Sequence, residues 1–273
     1  TNFLTKIWNN NSMHLFIHPM RRIPMFKKFG MLLLAACFLF STQAEAGAAD
    51  QIGVYVTPKF VYGIMGGNKA KAHSYEAGVF ETKNLGSLDD VVGGALAIGY
   101  DFHKRFNVSI RAELEYSAFG DAKASKLWGT PDDTDRDGIY YQSMKQKIGI
   151  QALFANVYYD FRNTTSFTPY VGAGIGMGFL SSKSGWSSPD DQMSLSSSRK
   201  HQTNFAWNVG LGCAYEFNDY VALDLGYRYA QFGKAKSGTT VIPADGEFPQ
   251  VDIYSKTKHV DMHQFMMGVR FTF

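Results

Sequence analysis

The chain has 273 residues, of which 27 are Lys or Arg and 24 are Asp or Glu, so its formal net charge is +3. Hydrophobic residues make up 45% and charged residues 19%, which is too apolar for a disordered chain and too weakly charged for a coiled coil. Residues 1–46 hold five of the basic residues and one of the acidic residues, which leaves a net charge of −1 on residues 47–273. The basic balance therefore belongs to the N-terminal segment, and no nucleic-acid partner is expected.

The N-terminal segment is typical of a secretory signal peptide. Two lysines precede an apolar run at residues 31–40, and Ala44 and Ala46 form an A-x-A cleavage site. The run is too short to cross a membrane as a helix. We predict a signal peptide over residues 25–46, cleaved after Ala46, and a single mature domain over residues 47–273.

Two alternatives concern the same segment. Residues 1–24 precede Met25 and are interpreted as an upstream translation artefact, with a genuine N-terminal extension as the alternative. Residues 34–37 end in Cys37 and resemble a lipoprotein cleavage box, although the apolar run continues beyond this cysteine. Lipidation of Cys37 is therefore the second alternative.

The mature chain alternates between apolar and polar or small residues with a period of two, which is typical of β-strands. Eight segments carry this pattern: 53–65, 91–102, 108–116, 148–161, 171–179, 205–217, 221–229 and 265–273.

Short and long connections alternate between these segments. The short ones are 103–105, 162–167 and 218–219, and the long polar ones are 66–90, 119–147, 181–203 and 233–258. An even number of strands with two unlike rims is the pattern of an outer-membrane barrel. We predict an all-β fold: an eight-stranded antiparallel up-and-down transmembrane β-barrel with four long extracellular loops and short periplasmic turns.

The two faces of the predicted strands differ in polarity. One face is apolar, and the other is small or charged, so we place the apolar face against lipid and the other face in the lumen; a soluble lipocalin-like barrel is the alternative. The charged residues predicted to line the lumen are Lys59, Asp101, Arg111, Glu113, Glu115, Asp224, Arg228 and Arg270, with Asp160 and Glu216 near the periplasmic end. Because buried charges must be paired, we expect an ion-pair network that closes the lumen. A narrow channel for ions or small solutes is the alternative.

Aromatic residues cluster beside every short connection and predict an interfacial girdle at the periplasmic rim. They are Tyr100, Phe102, Phe106, Tyr159, Phe161, Tyr170, Tyr215, Phe217 and Tyr220.

The last predicted strand ends with an apolar residue at every second position, namely Phe265, Met267, Val269, Phe271 and Phe273. This pattern resembles the assembly signal of bacterial outer-membrane barrels. The segments 169–176, 223–229 and Arg111-Ala-Glu-Leu-Glu-Tyr116 resemble the opacity-protein and major-surface-antigen family, which is similar to the OmpA transmembrane domain. The resemblance covers residues 53–273. It implies an eight-stranded outer-membrane barrel with variable surface loops that are often antigenic or adhesive.

One predicted surface loop contains part of a calcium-binding pattern. Asp133, Asp135 and Asp137 occupy positions 1, 3 and 5 of an EF-hand-type loop, and Gly138 occupies position 6. Position 12 is Met144, where the pattern needs a bidentate Glu. A solvated acidic loop is therefore the alternative to a calcium site, and no other cofactor is expected.

A second alternative function is a lipid-modifying barrel enzyme. His201, Thr203 and Asn204 faintly resemble the His-x-Ser-Asn segment of lipid A deacylase barrels, but Thr203 replaces the serine nucleophile. We therefore predict that the protein is not an enzyme.

These observations predict a monomeric protein of the bacterial outer membrane that acts as a surface antigen or adhesin-like structural protein. Its expected partners are outer-membrane lipid including lipopolysaccharide, the outer-membrane assembly machinery, and host-surface or matrix molecules that contact the long loops.

Overall fold

A computed structural model describes residues 52–66, 70–76, 79–131, 139–188, 193–242 and 251–273. The chain divides into two units, 1–46 and 47–273, and all described residues belong to the second. The predicted cleavage residues Ala44 and Ala46, Cys37, and the predicted calcium ligands Asp133, Asp135 and Asp137 lie outside the described residues. Within the described ranges, no helix has the length and apolar character needed to cross a membrane.

The described residues form fifteen strands and one short helix. In chain order they are β1 (Val54–Met65), β2 (Ala70–Glu76), β3 (Val79–Gly86), β4 (Val91–Asp101), α1 (His103–Phe106), β5 (Ile110–Phe119), β6 (Ala122–Pro131), β7 (Ile139–Asp160), β8 (Phe167–Ser188), β9 (Met193–Ser196), β10 (Lys200–Glu216), β11 (Val221–Gln231), β12 (Ala235–Lys236), β13 (Thr240–Ile242), β14 (Val251–Thr257) and β15 (Asp261–Thr272).

Eight of these strands close into a barrel. The strands β1, β4, β5, β7, β8, β10, β11 and β15 each pair antiparallel with their neighbours in this series, and β15 pairs with β1. At the seam between the first and last strands, the Phe273 amide donates to the Val54 carbonyl at 2.8 Å, and the Gly53 amide donates to the Phe273 carbonyl at 3.0 Å. The predicted eight-stranded antiparallel barrel is confirmed.

The strand β8 shows why the two faces of the wall differ. Ile175 and Met177 project outward and are 63% and 46% exposed. The alternate positions face the interior, where a Cβ on Gly174 would lie 2.7 Å from the amide nitrogen of Asn208 and would also clash with Asn156. The glycine makes room for the hydrogen bond that the Asn208 amide donates to Asn156, at 2.9 Å.

The long connections were predicted as loops, but they contain much regular β-structure. The strands β7 and β8 run for 22 residues each, well beyond the predicted segments. They pair with β6 and β9, while β12, β13, β14, β2 and β3 form a second sheet. We call this region the surface extension: β2, β3, β6, β9, β12–β14, and residues 139–149 and 181–188. Continuing the ladder pairs backbone groups that an open loop would leave to water.

The interior of the barrel has two layers of different polarity. Charged side chains fill the half nearest the short connections. The half nearest the surface extension holds a cluster of apolar side chains. The sequence predicted only small or charged residues on this inner face, so the cluster was not expected. We call this cluster the apolar plug; it comprises Val61, Phe119, Ile150, Phe154, Phe232 and Met262, each no more than 5% exposed.

The short-connection end carries the expected aromatic residues on its outer surface. Phe106, Tyr159 and Phe161 are at least half exposed, and Tyr159 packs edge-on against Phe161. Tyr170 was predicted to belong to this girdle, but it lies inside the barrel at 8% exposure. Its ring packs edge-on against Tyr158, with a centroid distance of 5.5 Å, because Tyr170 shares the inward face with the glycines of β8.

Candidate functional site

Glu115 lies at the centre of the charged layer and is fully buried. One of its carboxylate oxygens accepts from Lys59 Nζ at 2.7 Å, and the other accepts from Arg228 Nη2 at 2.8 Å. Lys59 also donates to Glu113 at 2.6 Å, and Arg228 Nε donates to Gln264 at 2.6 Å. Four strands, β1, β5, β11 and β15, supply these side chains, so the network ties opposite walls of the barrel together.

A second group of charges closes the short-connection end. Arg111 Nε contacts both carboxylate oxygens of Asp160, at 2.8 and 3.0 Å. Arg162 Nη2 lies 2.6 Å from Asp101 and 3.5 Å from Asp160, and its other nitrogen lies 3.9 Å from Glu216. Arg162 was not predicted to face the lumen. Two features of the sequence could have indicated its position. Arg162 is two residues after Asp160, which in a strand places both on one face, and the charged residues predicted for the lumen were six acidic and four basic.

Tyrosine side chains surround the guanidinium of Arg111. Its central carbon lies 5.0 Å from the ring centroids of Tyr158 and Tyr170, and 5.8 Å from that of Tyr55. The hydroxyl groups of Tyr158 and Tyr55 donate to Glu113 at 3.2 and 3.4 Å. The aromatic faces and hydroxyl groups therefore stabilise both signs of charge without bringing in further ions.

The remaining predicted pair is looser. Arg270 Nε lies 3.7 Å from Asp224, beyond hydrogen-bond distance. A cavity of about 20 Å³ lies beside Asp224 and is lined by Lys59, Arg111 and Glu113 among others. This volume is about that of one water molecule, so the cavity does not have room for an organic solute.

The charged layer and the apolar plug meet at Phe154. The Arg228 guanidinium lies 5.4 Å from the Phe154 ring centroid, and Phe154 packs against Phe232 at 6.1 Å. Paired charges therefore fill one half of the lumen, and packed aromatic and aliphatic side chains fill the other. This arrangement favours a closed lumen over the narrow channel that the sequence left open.

We predict that the purified protein gives no stable unitary currents in planar lipid bilayers, because both layers obstruct the lumen. The measurement is single-channel recording, with a general porin inserted under the same conditions as the positive control. Stable currents that disappear on Glu113→Gln or Arg228→Gln would show that the charges line a conducting path instead.

Buried serine residues connect the third long connection to the fourth. The Ser184 hydroxyl lies 3.1 Å from that of Ser197 and 3.0 Å from that of Ser237, and the Ser255 amide donates to Ser237 at 2.9 Å. Each of these four serines is at most 3% exposed. The third and fourth long connections are therefore hydrogen-bonded to each other in a solvent-excluded layer.

The structure does not assemble a catalytic set from the residues considered for lipid modification. His201 and Thr203 lie exposed on the outward face of β10. The Asn204 side chain instead faces the other way and donates to the carbonyls of Phe232 and Lys234, both at 2.9 Å. In the part of the chain that the structure describes, no three His, Cys, Asp or Glu side chains are grouped to hold a metal ion.

The proposed assembly-signal residues lie along the outward face of β15, and the last of them, Phe273, directly follows this strand. Phe265 and Met267 are 48% and 52% exposed, and Val269, Phe271 and Phe273 are partly buried. They therefore form one apolar stripe beside the barrel seam.

The sequence comparisons give a family and two relatives. The family described as "Outer membrane protein beta-barrel domain" matches residues 32–273. The outer membrane protein PagN of Salmonella typhimurium is 32% identical over 245 residues, covering 84% of this chain and 93% of PagN. A protein of Rickettsia bellii named "Putative adhesin" is 32% identical over 131 residues, covering 47% of this chain and 55% of that protein.

The solved structures similar to this chain include two bacterial surface or outer-membrane proteins. Neisserial surface protein A (NspA) shares 21% identity and a TM-score of 0.43, covering 81% of this chain and 97% of NspA. OprG from Pseudomonas aeruginosa shares 15% identity and a TM-score of 0.45, covering 82% of this chain and 98% of OprG.

Proposed function

This chain belongs to the outer-membrane β-barrel family, and from this premise we propose that it is an adhesin-like protein whose surface extension contacts host-surface or matrix molecules. The barrel lies in the bacterial outer membrane, with its outward apolar face against lipid. In such barrels the short turns face the periplasm and the long connections face the exterior. The surface extension is therefore the part of the protein that an external partner meets.

The buried serine layer is the observation that carries this proposal. It joins Ser184 and Ser197 of the third connection to Ser237 and Ser255 of the fourth. Because these contacts are shielded from water, they hold the third and fourth connections in one arrangement relative to each other. A surface ordered before binding loses less conformational entropy when it meets a partner, which suits recognition.

The proposed role is non-catalytic and belongs to the monomer. Its support is the closed lumen together with the geometry of Asn204, which is held away from His201 by two backbone carbonyls. The stripe from Phe265 to Phe273 would serve as the contact for the outer-membrane assembly machinery. The relatives carry the names "Outer membrane protein PagN" and "Putative adhesin", which agree with this assignment.

Adhesion can be tested in a non-adherent bacterial host that displays the protein on its surface. We expect binding to cultured cells or to matrix-coated wells, and loss of that binding when 132–138, 189–192 and 243–250 are each replaced by Gly-Ser sequences of equal length. Each segment joins two strands that pair with each other, namely β6 with β7, β8 with β9, and β13 with β14, so the replacements leave the residues of the barrel and of the serine layer unchanged.

Lys104→Gln with Arg105→Gln serves as the control, since α1 lies at the opposite, periplasmic end. Surface amounts are matched by antibody against an added epitope. Adhesion that survives all three replacements, or that the control reduces equally, would contradict recognition by the surface extension.

A further inference from the structure

Lysines are direct cross-strand neighbours on the outward face of the surface extension. Lys123 of β6 pairs with Lys147 of β7, and Lys147 pairs with Lys183 of β8. Arg199 immediately precedes Lys200, which pairs with Ser182, so Arg199 continues this line beside Lys183. We call Lys123, Lys147, Lys183 and Arg199 the basic row.

The basic row points away from the protein interior. The residues that alternate with it, Ile148 and Ser182, are fully buried, whereas Lys123, Lys147 and Arg199 are exposed. Like charges placed directly opposite on adjacent strands destabilise a sheet. Two successive Lys–Lys pairs therefore carry an energetic cost that an anionic ligand would remove.

Few acidic groups of the protein offset this charge. Among the residues that the structure describes, no carboxylate forms an ion pair with a member of the basic row. Arg199 Nη1 donates to the Ser181 hydroxyl at 3.2 Å. Asp121 is on the same face, beside Gly149. Its single negative charge does not neutralise the four basic side chains, so the basic row keeps a net positive charge.

The basic row lies at the height of the lipid headgroups. On β8, the lipid-facing Ile175 and Met177 are followed by Phe179 on the same face, and Lys183 is four residues further along. Four residues of strand measure roughly 13 Å, and a strand tilt of about 35–45° reduces this to roughly 10 Å along the membrane normal. The row therefore stands just outside the apolar band and faces sideways, toward neighbouring lipid.

A second set of lysines provides an internal comparison. Lys236 pairs with Lys256, and Lys256 pairs with Lys71, in the separate sheet formed by β12, β14 and β2. Lys236 Nζ lies 4.5 Å from the ring centroid of Tyr254 and so already has a partner. This sheet is not continuous with the barrel strands, unlike β7 and β8, which run from the lipid-facing wall into the basic row.

We propose that the basic row binds the phosphate groups of a lipopolysaccharide molecule in the outer leaflet. A phosphorylated saccharolipid carries its anionic groups at the height of the row and its acyl chains below it, against Met177 and Phe179. One phosphate placed between Lys147 and Lys183 would screen the repulsion between them. This binding is independent of the adhesion proposed above, and either can fail without the other.

The test is native mass spectrometry of the purified protein with bisphosphorylated lipid A, with the same lipid after removal of its phosphates, and with inorganic phosphate. We expect wild type to bind bisphosphorylated lipid A. The variant Lys123→Gln, Lys147→Gln, Lys183→Gln is expected to bind it roughly tenfold more weakly, since each exposed charge contact contributes a fraction of a kcal/mol. Both proteins should shift on unheated gels, which shows that the variant folds.

The matched control is Lys71→Gln, Lys236→Gln, Lys256→Gln, which removes the same charge from the separate sheet and should retain binding. An equal loss of lipid A binding in both variants would contradict the proposed site, because it would indicate general electrostatic attraction. Equal binding of the dephosphorylated lipid, or inorganic phosphate that binds as tightly as lipid A, would overturn the lipid assignment. Binding of a soluble sulfated glycan, measured as a fourth sample, without binding of lipid A would also overturn the lipid assignment.

Discussion

Replacement of Glu115 by Gln is expected to destabilise the folded barrel by about 3–5 kcal/mol, although the two side chains have nearly the same shape. The substitution removes the carboxylate that faces both Lys59, at 2.7 Å, and Arg228, at 2.8 Å. Arg228 has no other anionic hydrogen-bond partner, since its remaining hydrogen bond is to the neutral Gln264. A buried guanidinium without a counter-charge is costly, so the effect arises from electrostatics rather than packing.

The measurement is urea unfolding of the protein in lipid vesicles. The folded fraction at each urea concentration is measured from the shifted band on unheated gels. Glu216→Gln makes the same chemical change at a side chain that is 39% exposed and 3.9 Å from Arg162. We expect that control to cost less than about 1 kcal/mol, because exposed ion pairs contribute little. Equal effects of the two substitutions would mean that the charged layer does not hold the walls together.

The position of Glu115 could be anticipated from the sequence because strand parity and burial are directly linked. In a strand with period two, Arg111, Glu113 and Glu115 must share a face, and charges cannot share the lipid-facing side. The same argument placed Lys59 and Arg228 in the lumen. The alternation along a strand predicts which face a residue occupies. It does not predict which charged side chains contact each other, because that depends on the register between strands that are far apart in sequence. The contact between Glu115 and Arg228, 113 residues apart, therefore needed the structure.

The surface extension could not be predicted in the same way. Its strands are rich in Ser and Lys, so apolar alternation is weak, and polarity alone suggested loops. The alternation is nevertheless present in residues 144–150, where Met144, Ile148 and the intervening Gln146 are buried between exposed lysines. Buried hydroxyl and amide groups replace apolar side chains on the inner face of this region. A pattern that counts only apolar residues does not detect such a layer.

The apolar plug shows the limit of the assumption that every apolar residue of a membrane barrel faces lipid. Phe232 follows the predicted end of its strand at residue 229, yet it continues the inward parity of Asp224 and Arg228. Where the strands rise above the charged layer, the lumen is closed by ordinary hydrophobic packing. The two layers stabilise the barrel in different ways. Paired charges join the walls, and the apolar plug fills the space beside glycines such as Gly178.

Replacement of Phe232 by Ala is therefore expected to cost about 3–5 kcal/mol in the free energy of unfolding. The Phe232 side chain is fully buried, and its ring centroid lies 6.1 Å from that of Phe154 and 6.4 Å from that of Phe119. Truncation leaves a cavity among side chains that are fixed to separate strands and cannot collapse far. The same urea titration in vesicles measures the change.

Phe205→Ala is the matched control, because Phe205 lies on the lipid-facing side and is 67% exposed. Lipid can fill the space that this truncation opens, so we expect a loss of less than about 1 kcal/mol. Phe232→Leu keeps most of the volume and should recover a large part of the stability.

Since the charged layer around Glu115 is intact in all three variants, none is expected to conduct. A destabilised but conducting Phe232→Ala variant would show that the plug alone closes the lumen, and an unchanged stability would show that it does not pack as a core.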